Sequence, residues 1–519
     1  MLQGEKMTLK QITQLDQILA TVAQFTHSDR AANALQTAPN VTDIKTVRQQ
    51  LKLTAEAHRL LANDVMLTYF DLDQLTALQT KLDQGLLLTA EQLGMVSDFL
   101  TNLQRLTTVL REHEQLAPGL TVMLASAKGL SGLQGRLTHV IVRGQVADDA
   151  TPQLADIRRQ IKKQRQQVQT TLTQFVQKHA KAVQSNRLIT RNDRVCVQLK
   201  ASYKNRFPGQ VVDQSGTGST VFFEPQAAAK KSAVLTSLIN AESDEIYQLL
   251  ATLTGDVLDH WDDLKANQDL LSDFDQTMAK GQYGLETDSH LPKLNTDQYI
   301  KIVAGRHPLL GPDAVPLNIE LTSHQGLMIT GANSGGKTVV LKTIALFALM
   351  VQFGLELPAD KGTEMAVFSQ FWVDIGDNQS LTAQLSTFAA EMTTLVDMTA
   401  NIQANALVLL DEIGSGTDPE EGSALSISII EYLRQQQATI IATTHFSAIK
   451  EYAVDCPTFM TATMAFDPKT LRPTYRLLLH QVGASEVVWL AERLGLAKPI
   501  LEDTRRRLAA KSRVGQAGR

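Results

Sequence analysis

The stretch Gly331-Ala332-Asn333-Ser334-Gly335-Gly336-Lys337-Thr338 constrains this chain more than any other. It has the spacing G-x-x-x-x-G-K-[ST], in which glycines let backbone amides close on phosphate oxygens. Ahead of it, Gly326-Leu327-Met328-Ile329-Thr330 reads as a short buried strand; after it, Val339 to Val351 runs apolar without Gly or Pro, as a buried helix does. Strand, loop and helix in that order are the setting that gives the motif its meaning. Amides at the helix start face the phosphates, Lys337 reaches the β- and γ-phosphates, and the Thr338 hydroxyl is a ligand for Mg²⁺. A nucleoside triphosphate is therefore the expected ligand.

A second stretch supplies the carboxylates such a site needs. Ala406-Leu407-Val408-Leu409-Leu410 is an apolar strand running into Asp411-Glu412. Asp411 is placed to hold the Mg²⁺ shell, and Glu412 to orient and deprotonate an attacking water. The plainer alternative is a buried strand followed by a helix-capping Asp. After the next apolar run, Thr443-Thr444-His445-Phe446 puts His445 where a γ-phosphate sensor would stand, although a His after a strand also serves structural ends. The set predicts a magnesium-dependent ATPase, with Lys337, Glu412 and His445 as catalytic residues and Thr338 and Asp411 on the metal.

At 519 residues the chain is too long for one core. Residues 1–125 read as a helical N-terminal or core domain, with one apolar stripe through Leu15, Ile18, Leu19, Val22 and Phe25 and another through Leu93, Val96, Leu100, Leu103, Leu106 and Leu110. Pro118-Gly119 through Gly129, Gly132 and Gly135 read as a breaker-rich connector. Residues 126–298 read as core and arms: helical periods over 152–185 and 227–279, compatible with an antiparallel coiled coil, flank a strand-rich tip at 187–225. Residues 299–503 alternate strand and helix, as an α/β nucleotide-binding domain does, and 504–519 form a basic tail with six Lys or Arg and no acidic residue. The fold class is thus multidomain: all-α with long arms, then α/β.

Hydrophobic residues are 43% and charged residues 20% of the chain, an ordinary globular balance. No window reaches the roughly 18 apolar residues of a membrane span, and the N-terminus lacks a secretory pattern, so a cytoplasmic protein without membrane partners is expected. Cys196 and Cys456, the two cysteines, are too few for a disulfide framework. Charge is distributed unevenly around the net of −5. From 156 to 206, 13 Lys or Arg stand against two Asp; from 242 to 288, 12 Asp or Glu stand against two Lys. Arg158, Arg159, Lys162 and Lys163 begin the basic block and are candidate nucleic-acid contacts. Two helices of opposite charge pairing with each other explain the pattern equally well.

Gly331 to Thr338, Ser386-Thr387-Phe388, Asp411-Glu412-Ile413-Gly414-Ser415-Gly416-Thr417 and Thr443-Thr444-His445-Phe446 together resemble the ATPase domain of the MutS family, and Arg306-His307-Pro308 resembles its beginning. Pro208-Gly209-Gln210-Val211-Val212-Asp213, Phe223-Glu224-Pro225, Asp374-Ile375-Gly376-Asp377 and Gln379-Ser380 are similar to the type-two bacterial branch, and the resemblance spans essentially the whole chain. It implies an ABC-type ATPase acting as a homodimer with ATP and Mg²⁺, in which Ser386 and Thr387 touch the γ-phosphate bound by the other copy. Ala332 stands where the family usually has Pro, and Ser334 where it usually has Thr. Gly483 and Ser485 match a family turn, whereas His480-Gln481-Val482 does not. No mismatch-reading domain is visible in residues 1–125. Neither the further helical segment nor the small nuclease-like domain usual in type-two proteins is seen before Arg519, so nuclease activity is not expected. The expected role is a clamp on branched or recombination-intermediate DNA that suppresses recombination. The alternatives are an ATPase acting on stalled, collided ribosomes, and a structural dimer that binds ATP with little turnover.

Overall fold

A computed structural model describes residues 7–517, apart from 312, 332–334, 376–383, 415–416, 468–469, 471, 484–490 and 493–494; side chains of 384–391 and 508–517 are also outside the description. The chain forms two compact units, one of residues 1–67, 107–126 and 271–519, the other of 68–106 and 127–270. The N-terminal 125 residues are therefore divided between the units.

The first unit is built on a six-stranded sheet in the order Gln370–Asp374, Ala406–Leu410, Thr439–Thr443, Gly326–Thr330, Phe459–Asp467, Arg472–Leu479. All neighbours are parallel except the last pair. A parallel sheet is covered on both faces, which is why its central strands are buried at every position rather than alternately. Leu327, Ile329, Leu407, Leu409 and Ile441 pack toward helix Lys337–Gln352. Met328, Val408, Leu410 and Ile440 face the opposite core, filled by Leu395 of helix Gln384–Asn401, Ile430 of Pro419–Gln435 and Ile449 of Ser447–Asp455. Leu15, Ile18, Leu19 and Val22 of helix Leu15–Ala23, and Val47 and Leu51 of helix Ile44–Ala62, belong to the same core as helix Lys337–Gln352. A second sheet, in the order Lys293–Asn295, Glu364–Ala366, Ile300–Gly305, Leu317–Leu321, contributes Ile300, Ile302, Ile319 and Met365 to that core.

In the second unit, helices Pro152–Lys178 and Gln226–Asp259 pair antiparallel. The direction follows from their side-chain bonds: Thr151 Oγ1 donates to Glu245, Arg158 Nε to Glu242, and Lys231 Nζ to Thr171, so one index rises as the other falls. At the end of the pair lies a four-stranded antiparallel sheet in the order Val183–Arg191, Arg194–Lys200, Thr220–Pro225, Gly209–Gln214. It packs Val197, Leu199, Val221 and Phe223 on Leu172 and Val176 of the first helix.

Three sequence expectations need correction. The breaker-rich connector is instead two helices, Pro118–Ala125 and Ser131–Val140. Pro118 occupies the first helical position, where its missing N–H costs nothing, and Gly119 admits the Glu56 side chain, whose Oε2 accepts from Leu120 N–H at 2.9 Å. The second arm is not one helix over 227–279, for the chain breaks at His260 (φ −109, ψ 14) before helix Trp261–Glu286. The first arm ends at Lys178 rather than 185, because Val183 already pairs with Leu199 in the sheet.

Candidate functional site

Helix Lys337–Gln352 starts where strand Gly326–Thr330 ends, and two glycines make that junction possible. Gly331 has φ 114 and Gly336, the residue capping the helix, φ 92; both conformations are strained for residues with a Cβ. A Cβ on Gly335 would come within 2.9 Å of Met464 Cβ, so the loop is also packed too closely for a side chain there. Ala332, Asn333 and Ser334 lie outside the described residues.

Lys337 is 2% exposed, and its ammonium donates to Gly331 O at 2.8 Å while standing 3.8 Å from Glu412 Oε1. Burial pulls its pKa below the ordinary lysine value, and the carboxylates of Glu412 and then Asp411 pull it back. A buried cation curled against its own loop is poised to exchange that carbonyl for phosphate oxygens.

Strand Ala406–Leu410 is not adjacent to the phosphate-loop strand, since Thr439–Thr443 lies between them. Asp411 nevertheless reaches across: its Oδ2 accepts from Thr338 Oγ1 at 2.7 Å and its Oδ1 from Thr443 Oγ1 at 2.5 Å. Thr443 Oγ1 also accepts from Glu412 N–H at 2.9 Å. Glu412 itself is held at φ 54. The capping alternative for Asp411 does not hold, because the following helix is capped by Asp418, which accepts from Glu420 and Glu421 N–H.

Two hard oxygen atoms, Thr338 Oγ1 and Asp411 Oδ2, thus converge beside a helix N-terminus and a buried lysine. That donor set fits a small divalent cation bound partly through phosphate and water, as Mg²⁺ prefers. His445 follows the end of strand Thr439–Thr443, exposed, its ring 4.3 Å from that of Phe446. Ser386 and Thr387 fall in the first turn of helix Gln384–Asn401, with their side chains outside the description. Gly483 N–H donates to Thr330 Oγ1 at 2.8 Å, and a Cβ there would meet Thr463 Oγ1 at 2.6 Å, so this turn closes directly over the phosphate-loop strand. Ser485 lies outside the described residues.

Two features escaped sequence reasoning. In the sequence Thr443 is only part of the run before His445, yet its hydroxyl ties the Asp411 carboxylate to the backbone N–H of Glu412. Beside Gly336 lies a mostly apolar cavity of about 390 Å³, lined by Val339, Thr343, His307, Pro316, Met464 and Tyr475 among others. His307 is 5% exposed, and its Nδ1 has no hydrogen-bond partner among the described residues. Burial, with Lys342 nearby, lowers its pKa to about 4, so the ring is neutral at neutral pH.

Of the basic quartet, Arg158 is bound to Glu242 at 2.8 Å and Asp148 at 2.5 Å, and Arg159 to Asp156 at 3.2 Å. Lys162 and Lys163 are exposed. The opposite charges of the two helices thus meet at Arg158 and Glu242, while part of the basic block faces solvent.

Residues 327–510 match the family model for MutS domain V. The chain is similar to proteins named endonuclease MutS2. That of Pelotomaculum thermopropionicum is 34% identical over 510 residues, 98% of this chain and 65% of the relative. That of Symbiobacterium thermophilum is 37% identical over 93% of this chain and 61% of the relative, and that of Halalkalibacterium halodurans 40% over 81% and 55%. The chain therefore spans less than two thirds of the length of these relatives.

Proposed function

Because this chain belongs to the MutS family, in its MutS2 branch, we propose that it is a magnesium-dependent ATP hydrolase that clamps a nucleic-acid partner as a homodimer. The observation that carries the chemistry is the junction of Thr338, Asp411, Thr443 and Glu412 at the C-terminal ends of parallel strands, beside the buried Lys337. Bound ATP would place its phosphates on the amides that open helix Lys337–Gln352, with Lys337 on the β- and γ-phosphates. Gly331 to Thr338, including the undescribed Ala332, Asn333 and Ser334, would form the cradle. Magnesium held by Thr338 and Asp411 would neutralise charge developing on the transferred group. Glu412, fixed at its backbone by Thr443, is the base for the attacking water, and His445 senses the γ-phosphate. The apolar cavity beside Gly336 takes the nucleobase. Ser386 and Thr387 of a second copy would complete the site, as their place in the first turn of a helix suits.

The nucleic-acid surface is assigned to the paired helices and their sheet. Lys162, Lys163, Arg165, Arg187 and Lys204 are exposed there, whereas Arg158 is engaged within the pair. Branched or recombination-intermediate DNA, with suppression of recombination, is the reading preferred. The word endonuclease belongs to the relatives' names, and the ATP site requires no nuclease step.

Glu412→Gln, which binds Mg-ATP without hydrolysing it, separates the possibilities. ATP-dependent retention of that variant on four-way DNA junctions supports the reading. Retention on collided ribosomes instead replaces it with ribosome rescue. ATP binding without turnover by the unmodified protein reduces it to an ATP-binding structural dimer.

A further inference from the structure

The helix that begins at the phosphate loop ends in a polar joint built from three parts of the chain. Gln352, its last residue, is fully buried. Its Oε1 accepts from Phe368 N–H at 2.9 Å, and its Nε2 donates to Val41 O at 2.9 Å and Phe368 O at 3.1 Å. Gly354 then takes φ 71 to end the helix, with Leu355 N–H returning to Met350 O at 2.9 Å. Thr54 Oγ1 donates to Gly354 O at 2.7 Å, and Glu356, 4% exposed, meets His58 Nδ1 at 2.5 Å. Thr54 and His58 are four residues apart and so share one face of helix Ile44–Ala62. Helix Trp261–Glu286 closes the joint: a Cβ on Gly281 would lie 2.7 Å from Ala57 Cβ, and one on Gly284 2.6 Å from Glu356 Oε2.

An apolar contact would hold these elements together at least as well, because burying a carboxylate costs free energy that its partner only offsets. Burial indeed pushes the Glu356 carboxyl up, with His58, then His290 and Arg59, pulling it back. What a polar joint adds is a fixed register. Apolar surfaces slide past one another by small steps, whereas bonds at 2.5–2.7 Å are either made or broken. Helix Lys337–Gln352 has no room to bend instead, as 13 of its residues are buried.

We propose, resting on the nucleotide-binding reading above, that His58, Thr54 and Glu356 are positioning residues that carry nucleotide occupancy of the phosphate loop into helices Ile44–Ala62 and Trp261–Glu286. Occupancy acts on the first turn of helix Lys337–Gln352, the helix moves as a rigid body, and the joint at its far end moves both partners.

The test uses the full chain in the Glu412→Gln background, with amide hydrogen exchange of peptides from 44–62 measured with and without Mg-ATP. In that parent, nucleotide is expected to slow exchange by about fivefold, the lower end of typical coupling. Glu356→Ala is expected to bind nucleotide but lose the slowing. The isosteric Thr54→Val, which removes the Gly354 bond alone, is expected to weaken it and serves if Glu356→Ala does not fold. A purely structural role would shift exchange equally with and without nucleotide, leaving the ratio unchanged, and that outcome overturns the inference. So does a parent that binds nucleotide while 44–62 does not respond. A parent that binds no nucleotide overturns the functional reading itself, and the inference with it.

Discussion

Thr443→Val tests whether the two carboxylates work as one unit. Valine keeps the shape of threonine, and Thr443 is fully buried, so the change removes hydrogen bonds rather than volume. Two are lost. One is the 2.5 Å bond to the Asp411 carboxylate, worth about 2 kcal/mol as a charge-assisted bond. The other satisfies Glu412 N–H at 2.9 Å, and leaving that donor unpaired costs about 2 kcal/mol more. The added buried methyl returns about 0.8 kcal/mol, so the net loss of stability is about 3 kcal/mol. The catalytic consequence is separate. Glu412 is held at φ 54, a left-handed conformation that costs a residue with a Cβ about 1–2 kcal/mol, and it relaxes once its amide is released. A displacement of the base by about 1 Å lowers the chemical step by about 100-fold. Single-turnover ATP hydrolysis should show that fall in Thr443→Val, with nucleotide affinity changed by only a few-fold, since the phosphate loop is untouched. Thr443→Ser keeps the hydroxyl and should stay close to the unmodified rate. A Val variant that hydrolyses at the unmodified rate, or a Ser variant that falls as far as Val, would refute the reasoning.

Three further perturbations follow. Gly336→Ala places a Cβ 3.2 Å from Tyr475 Cδ1 at φ 92, and titration calorimetry should show ATP binding about tenfold weaker, the equivalent of about 1.4 kcal/mol of strain. His307 falls from 6.5 to about 4 on folding, so between those pH values the unfolded chain binds more protons and stability is lost as pH drops. The full loss is about 3 kcal/mol, and urea titrations should find that His307→Gln flattens the dependence between pH 6.5 and 4. On a DNA junction, Lys162→Gln with Lys163→Gln should reduce the slope of log affinity against log salt by about 1.8, whereas Arg158→Gln, whose guanidinium is already paired with Glu242 and Asp148, should leave it unchanged.

What the sequence made legible is what short stretches of chain decide. The phosphate loop is such a case: its glycines are required by φ values at Gly331 and Gly336 that follow from the loop alone, and the strand and helix beside it fall within two residues of their expected positions. Breaker residues misled where tertiary context reversed their sign, as at Gly119, which serves close packing against Leu53 and Glu56 inside a helix. His260 shows the converse, ending a long helix without Gly or Pro. The site itself was legible as a set of residues but not as a network. Asp411 and Thr338 were expected to meet, yet the strand Thr439–Thr443 lies between theirs, and only a hydroxyl at the end of that strand lets Asp411 and Glu412 be fixed together. A Thr before a His has no period and no motif spacing to announce it. Its role arises from strand order, which brings residues distant in sequence together at the C-terminal ends of neighbouring parallel strands. For the same reason the joint at Glu356 was invisible: His58 is 298 positions away, and nothing local to either residue indicates that a helix from the beginning of the chain ends up against the far end of the helix that starts at the phosphate loop.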